Sequence, residues 1–396
     1  YKDMAEELQR RSASLRTIIY VGDGDTPAGM QNYEAILSES CPIADAGCGG
    51  DDLAIVMYTG GTTGFPKGVM HSHATASVGG YAVEAGLFEA SSLAPCSLLV
   101  APLFHVIGVG LAMANFIAGG TAIVEPFSPL DCMESIEKHR ASQLILAPAM
   151  LQMVMDHPDV NKFDMSSVIS LAYGGAVISE SVLRRAMSQW PSARFRQVYG
   201  MTEMFSASWL NPHDHHLDEG VGLRLRSAGR AHKFMTIRIV NGNGEEVERG
   251  TVGEISASGP SMMLGYWNSP EQTKNTIQDG WIRSGDGAYM DENGYIFIVD
   301  RVKDMIVSGG ENIYSAEVEN ALAKHPAVVS CAVIGIPDKK WGEAVHGVIV
   351  LAAGKAVTAE ELVSHCREYI AGYKIPRTFD FLESLPLSAA GKVQKN

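Results

Sequence analysis

Tyr58-Thr59-Gly60-Gly61-Thr62-Thr63-Gly64-Phe65-Pro66-Lys67-Gly68 follows directly on the apolar run Leu53–Tyr58, which reads as a buried strand. Glycines at these positions let backbone amides converge on an anion, the threonines add hydroxyl donors, and Lys67 adds a positive charge. A Walker A loop needs its lysine after a glycine and a hydroxyl residue next; here Pro66 precedes Lys67 and Gly68 follows, so that pattern fails. A Gly/Thr surface turn is the plain alternative. Taken alone, the stretch points to a polyphosphate.

Around this loop, short strand-like runs alternate with helical periods. Leu53–Tyr58, Ser97–Ala101, Thr121–Glu125, Gln143–Ala147, Val168–Leu171 and Arg194–Val198 read as strands, and Ser179–Gln189 as a helix capped by Ser179. Such alternation implies α/β layers with partly parallel strands. From Met235 to Val299 the pattern changes to strands separated by Asn241-Gly242-Asn243-Gly244 and Glu292-Asn293-Gly294, which is hairpin chemistry and marks a β subdomain. After Arg301, helices Ala316–Lys324 and Ala359–Tyr369 with strands Val328–Gly335, Val345–Leu351 and Phe379–Phe381 make a small α+β unit. The expected fold class is therefore α/β, with a large region over 1–301 and a small domain over 302–396.

The 396 residues are enough for two domains. Acidic residues outnumber basic ones by 45 to 31, a net charge of −14, which argues against a nucleic-acid surface. An anionic ligand is still open to it, because backbone amides can hold phosphate in an acidic protein. Six cysteines (41, 48, 96, 132, 331, 366) follow no disulfide or zinc spacing, so reduced, cytoplasmic thiols are expected. No apolar run is long enough for a transmembrane segment. The charged opening Tyr1-Lys2-Asp3 is not a signal peptide, and with no methionine at position 1 the chain reads as a fragment or processed form.

Further motifs come in order along the chain: Pro102-Leu103-Phe104-His105-Val106-Ile107-Gly108; Tyr173-Gly174-Gly175-Ala176 between a strand and a helix; Tyr199-Gly200-Met201-Thr202-Glu203 at a strand end, where open α/β sheets bind ligands; Ser284-Gly285-Asp286-Gly287; Asp300-Arg301-Val302-Lys303-Asp304; Ser308-Gly309-Gly310-Glu311; and Pro386-Leu387-Ser388-Ala389-Ala390-Gly391-Lys392. Together with the phosphate loop they resemble the signature segments of the adenylate-forming superfamily, in particular its acyl-CoA synthetases. The resemblance covers the chain from the phosphate loop to its last residues. It further implies that a sizeable segment of the large domain precedes Tyr1 and that a few residues follow Asn396.

That resemblance implies ATP, Mg²⁺ and coenzyme A as cofactors and a small-molecule carboxylic acid as substrate. Thr59, Gly60, Gly61, Thr62, Thr63, Gly64 and Lys67 would wrap the phosphates. Gly60 stands where the family has serine, and a lost hydroxyl contact to a charged phosphate costs on the order of 1.5–3 kcal/mol. Weaker ATP binding is expected, without loss of function. Gly174, Gly175 and Ala176 would run between adenine and acyl group; Tyr199 would stack on adenine, with Gly200 and Met201 beside it. Thr202 would touch the α-phosphate and Glu203 would hold Mg²⁺. Asp286 and Arg301 would bind ribose. His105 would line the acyl pocket and joins Thr202, Glu203 and Lys392 in the expected catalytic set. Lys303 would be the hinge of a small, mobile C-terminal domain, and Gly309 and Gly310 would border the pantetheine tunnel.

The reaction implied is adenylation of the acid, then acyl transfer to coenzyme A. The absence of aspartate between Thr59 and Leu130 favours a free acid, fatty or aromatic, over an amino acid. Val106, Ile107, Met201 and Phe205 supply apolar character near the pocket motifs, as they would in any core. A carrier-protein thiol as acceptor, an acyl-AMP ligase, a non-catalytic truncated homologue and a homodimer stay open. His213-Asp214-His215-His216, with Asp218 and Glu219, has metal-ligand residue types, but adjacent histidines rarely converge on one ion. His71 and His73 read as strand and helix-start residues.

Overall fold

The computed structural model describes residues 2–59, 66–87, 94–176, 178–215, 224–301, 304–352, 354–386 and 393–395. The chain divides into two compact units, Tyr1–Cys48 and Gly49–Asn396. The first contains helix α1 (Lys2–Arg11), strands β1 (Ile19–Tyr20) and β2 (Gln31–Asn32), which pair in parallel, and helix α2 (Tyr33–Glu39). Ion pairs from Glu7 to Arg10 and Arg11 line one face of α1, and the Asn32 side chain caps α2 by accepting from the Ala35 amide.

In the second unit, β3 (Leu53–Thr59) and β4 (Lys67–Ser72) form an antiparallel hairpin in which Thr59 faces Lys67. The apolar run before the phosphate loop was expected to be a buried strand of the α/β layers. It is instead the edge of a separate three-stranded sheet, and among its residues only Met57 is buried. A β-branched, apolar run is common to both kinds of strand, which is why composition does not separate them.

Helix α3 (His73–Leu87) leads into the central layers: β5 (Cys96–Leu99), α4 (Val106–Ile117), β6 (Thr121–Val124), α5 (Pro129–His139), β7 (Gln143–Leu146), α6 (Pro148–Asp156), β8 (Ser170–Gly174), α7 (Glu180–Gln189) and β9 (Arg194–Tyr199). Strands β6, β5, β7, β8 and β9 lie side by side and parallel, and β10 (Ser208–Leu210) and β11 (Arg230–Ala231) extend the sheet antiparallel. Every residue of β7 and β8 is buried, as expected for parallel strands covered on both faces. Leu98, Leu144, Leu146, Leu171 and Tyr173 pack there against Ile136, Leu151 and Leu183 from the helices. Ser179 caps α7 through the Val182 amide, as its sequence implies.

The β subdomain comprises β12 (Thr236–Val240), β13 (Gly253–Ser258), β14 (Gly265–Tyr266), α8 (Pro270–Thr276), β15 (Ile277–Gln278), β16 (Trp281–Met290) and β17 (Ile296–Arg301). Its turns use the chemistry read from sequence: Asn241 Oδ1 accepts from the Asn243 amide, Asp291 Oδ1 accepts from the Asn293 amide, and Gly244 and Gly294 take φ of 84° and 81°. β14 leaves this sheet and pairs with β4.

The last part has a core of its own. Strands β18 (Ile306–Ser308), β19 (Glu311–Ile313), β20 (Val328–Asp338), β21 (Gly342–Leu351) and β22 (Thr378–Leu382) carry helices α9 (Ser315–Leu322) and α10 (Ala359–Cys366). Ile313, Val318, Leu322, Val333, Ile349 and Leu362 fill the space between them. The α+β character expected after Arg301 is found there.

Candidate active site

The C-terminal end of β9 is the geometric centre of the site. Tyr199-Gly200-Met201-Thr202-Glu203 leaves β9 in a tight loop that returns to β10, closed by the Ala207 amide donating to the Tyr199 carbonyl at 2.8 Å. A Cβ at Gly200 would lie 2.0 Å from the Phe205 carbonyl oxygen, so only glycine fits. Phe205 is buried with φ of 58°, an uncommon conformation for an aromatic residue. His71, on β4, fastens the loop from below: its Nε2 lies 2.8 Å from the Thr202 carbonyl oxygen. Burial lowers its pKa, against the opposing pull of that carbonyl, so the neutral ring donates through Nε2–H.

Two side-chain constellations diverge from this loop. Tyr199 Oη donates to Asp286 Oδ2 at 2.7 Å. Asp286 lies opposite Arg301 in the β16–β17 ladder, with Arg301 Nε 3.7 Å from Asp286 Oδ1. Burial, followed by the Asp286 charge, raises the Tyr199 pKa well above its ordinary value, so the phenol remains a donor. Gly285 takes φ of 76°, and its amide donates to Glu254 Oε1, which sets the angle at which Asp286 leaves the strand. Three residues that lie far apart in sequence thus form one cluster.

Glu203 is only 7% exposed, and its Oε1 accepts from Tyr266 Oη at 2.7 Å. The ammonium of Lys67 sits 4.9 Å from the centroid of the same tyrosine ring. The C-terminal end of the phosphate loop and the acidic residue of the β9 loop therefore meet on one side chain. Among the described residues no lysine or arginine pairs with Glu203, so its buried charge suits a cation. One carboxylate completed by substrate phosphates is the donor set Mg²⁺ accepts.

Gly174 ends β8 beside β9, where a Cβ would lie 2.3 Å from the Val198 carbonyl oxygen; Gly175 follows with φ of 81°, and Ala176 is exposed. His105 is half-buried and caps α4, its Nδ1 accepting from the Ile107 amide at 3.2 Å. A Cβ at Gly108 would lie 2.3 Å from the Pro102 carbonyl oxygen. Val106 and Phe205 share a small buried core with Met57 and Ala76, and Ile107 packs against it. Gly309 and Gly310 form the β18–β19 turn with φ of 65° and 87°, the pair of positive angles a two-residue hairpin demands. Gly60, Gly61, Thr62, Thr63, Gly64, Lys303 and Lys392 lie outside the described residues.

Of the acidic and histidine stretch 213–219, Asp214 accepts from Tyr295 Oη at 2.6 Å and His215 bonds Tyr173 Oη and the Asn211 carbonyl. These side chains tie β8 to the β subdomain; His216, Asp218 and Glu219 lie outside the described residues. Two further residues were not legible from sequence. Tyr266 belongs to a two-residue strand, too short for any periodicity. Asp300 Oδ2 accepts from the Ser315 amide at 2.5 Å, capping α9 from fifteen residues away.

The profile of the AMP-binding enzyme family matches residues 2–267, and that of the AMP-binding enzyme C-terminal domain matches residues 317–392. The chain belongs to the AMP-binding enzyme family. A feruloyl-CoA synthase of Amycolatopsis sp is 39% identical over 355 residues, 89% of this chain and 70% of that protein. The medium/long-chain-fatty-acid–CoA ligase FadD8 of Mycobacterium tuberculosis is 35% identical over 412 residues, 100% of this chain and 70% of that one. Among solved structures, the O-succinylbenzoate coenzyme A synthetase MenE of Bacillus subtilis, in complex with ATP and a magnesium ion, superposes with a TM-score of 0.82 at 30% identity, covering 99% of this chain and 80% of that one. This AMP-binding enzyme is an acyl-CoA synthetase, an ATP-dependent acid–CoA ligase.

Proposed function

We propose that this AMP-binding enzyme activates an apolar carboxylic acid, fatty or aromatic, at the end of β9, and that its two constellations divide the nucleotide between them. Tyr199, Asp286 and Arg301 take the nucleoside: Tyr199 stacks on adenine while Asp286 accepts from the ribose hydroxyls. Thr59, Lys67, Thr202 and Glu203 face the phosphates, together with residues 60–64. Gly174, Gly175 and Ala176 give the backbone room for a flat ligand to lie close, and His105 lines the acyl side. The observation that carries this reading is the meeting of Lys67 and Glu203 on Tyr266, beside the Tyr199–Asp286 pair.

The substrate carboxylate is ionised at neutral pH, so the first step needs no protein base. Its oxygen attacks the α-phosphorus, the bond to the bridging oxygen breaks, and pyrophosphate leaves. The protein's work is orientation and charge stabilisation. Mg²⁺ bound by Glu203 would neutralise charge on the phosphate oxygens. Lys67 and Lys392 would supply the remaining positive charge. In the second step the coenzyme A thiol displaces AMP from the acyl carbonyl, with Gly309 and Gly310 bordering its approach.

The large part ends near residue 301 and the small one begins at 302, a division that the separate core starting at Ile306 supports. Rotation about Lys303 would exchange Lys392 for the 308–314 loop between the two half-reactions. All six cysteines are free, which supports a cytoplasmic enzyme. No described helix is long and apolar enough to cross a membrane.

Pyrophosphate release against a panel of fatty and aromatic acids, with and without coenzyme A, tests the reading. AMP and pyrophosphate are expected, with thioester appearing when coenzyme A is present. Lys392→Ala should abolish adenylation yet leave thioester formation from supplied acyl-adenylate largely intact. Formation of ADP, or equal loss of both half-reactions in the variant, would count against it.

A further inference from the structure

Glu203 and the residue after it are held by three hydrogen bonds from one short segment of the β subdomain. The Met263 amide donates to its backbone carbonyl at 2.8 Å, Ser261 Oγ donates to the carbonyl of the next residue, Met204, at 3.0 Å, and Tyr266 Oη donates to its carboxylate. Tyr266 itself is 5% exposed and firmly placed. It faces Val69 in the β14–β4 ladder, its amide donates to Thr273 Oγ1 at 2.8 Å, and the preceding Gly265 takes φ of 142°, where a Cβ would lie 2.8 Å from the Thr273 methyl. The backbone thus contorts to set this one ring between Lys67 and Glu203.

We propose that Tyr266 is a positioning residue for the adenylation half-reaction, fixing the Glu203 carboxylate through its hydroxyl and the Lys67 ammonium over its ring face. This rests on the reading that Glu203 holds Mg²⁺ and Lys67 faces the phosphates. The two functions of the side chain are separable. The hydroxyl occupies one carboxylate oxygen and fixes the carboxylate's rotation, which leaves the second oxygen for a cation. The ring attracts Lys67 through its quadrupole without competing for the ammonium's N–H donors, which stay available to phosphate. A carboxylate in the ring's place would hold Lys67 more tightly but consume those donors.

Three variants separate the roles. Tyr266→Phe keeps the ring and should weaken Mg²⁺-dependent binding of α,β-methylene-ATP by about tenfold in calorimetry, the low end for a lost hydrogen bond to a charged group. Pyrophosphate release at limiting Mg²⁺ should fall by a similar factor and recover as Mg²⁺ is raised. Thioester formation from supplied acyl-adenylate should change little. Tyr266→Leu should raise the KM for ATP further, and added Mg²⁺ should not restore it. Glu203→Gln should shift the Mg²⁺ dependence, and adding Tyr266→Phe to it should cost nothing more. If Glu203→Gln shifts the Mg²⁺ dependence but Tyr266→Phe does not, or if the two losses add, the positioning role is wrong while the site reading stands. If Glu203→Gln leaves the Mg²⁺ dependence unchanged, the site reading fails and takes this inference with it.

Discussion

Acidification should loosen the loop that carries Tyr199 and Glu203 through one histidine. His232 is 5% exposed, its Nε2 lies 2.9 Å from the Ser206 carbonyl oxygen, and its Nδ1 accepts from the Phe234 amide at 3.3 Å. Its ring stacks on Trp209 with centroids 4.4 Å apart. This arrangement fixes a neutral tautomer, because a proton on Nδ1 would point at an amide N–H. Burial, helped by the Lys233 charge and opposed by the Ser206 bond, lowers the pKa to about 4. The folded pKa lies below the unfolded value of 6.5, so the contribution is complete above that value and drains away as pH falls towards about 4. Going from about pH 7.5 to about pH 5 crosses roughly 1.5 units of that window, which at ~1.36 kcal/mol per unit removes about 2 kcal/mol of stability. His232→Gln keeps a donor for the Ser206 carbonyl but cannot titrate. Urea unfolding of both proteins at the two pH values isolates the effect, since His71 and the carboxylates are common to both. The advantage of histidine over glutamine should shrink by about 2 kcal/mol at the lower pH. An unchanged gap would show that the buried imidazole is not what the acid acts on.

Gly200→Ala should lower adenylation at least tenfold and reduce stability by about 1–3 kcal/mol, because its Cβ would overlap the Phe205 carbonyl and the β9 loop must open to admit it. Parallel measurement of pyrophosphate release and the urea midpoint checks both, and wild-type values would refute the close packing. Asp286→Asn should weaken AMP binding at least tenfold in calorimetry, the cost of losing a charged acceptor for hydroxyl donors. Unaltered AMP affinity would remove Asp286 from the ribose site.

What the sequence made legible depended on how local each interaction is. The parallel strands β5 and β7 announced themselves because burial on both faces favours short apolar runs, and the β12–β13 turn because Asn and Gly supply its geometry. The Ser179 cap needs only its own next three residues. Tyr199 and Asp286, separated by 87 residues, were each singled out through resemblance to a family and not through any local rule, and the hydrogen bond between them was not foreseen. Contacts with neither support stayed hidden: Tyr266 to Glu203 across 63 residues and His71 to Thr202 across 131. The strand before the phosphate loop was misjudged for a related reason. Its composition reports that strand forms there but not which sheet receives it: β3 pairs with β4, and the third strand, β14, pairs with β4 from almost two hundred residues downstream as a pair of residues without a pattern.

That misjudged strand explains how phosphate-handling groups come to share one frame. Because β4 pairs with β3 and β14 and not with the parallel sheet, the lysine ending the phosphate loop lies on the strand next to the one that carries Tyr266, and Tyr266 reaches back to the loop leaving the parallel sheet. Lys67 and Glu203 can therefore shift only together, which suits a step whose catalysis is positioning. The small C-terminal unit is tied differently. Asp300, on the last strand of the β subdomain, caps α9 of that unit through the Ser315 amide, and Lys395 bonds Ser315 Oγ and Glu319 on the same helix. Asp300 is itself buried, and a hydrogen bond to a charged group is worth about 1.5–3 kcal/mol, so this one contact holds the start of α9 to the last strand of the β subdomain. Lys67, Tyr266 and Glu203 take no part in that tie, so the groups proposed to face the phosphates are framed independently of it.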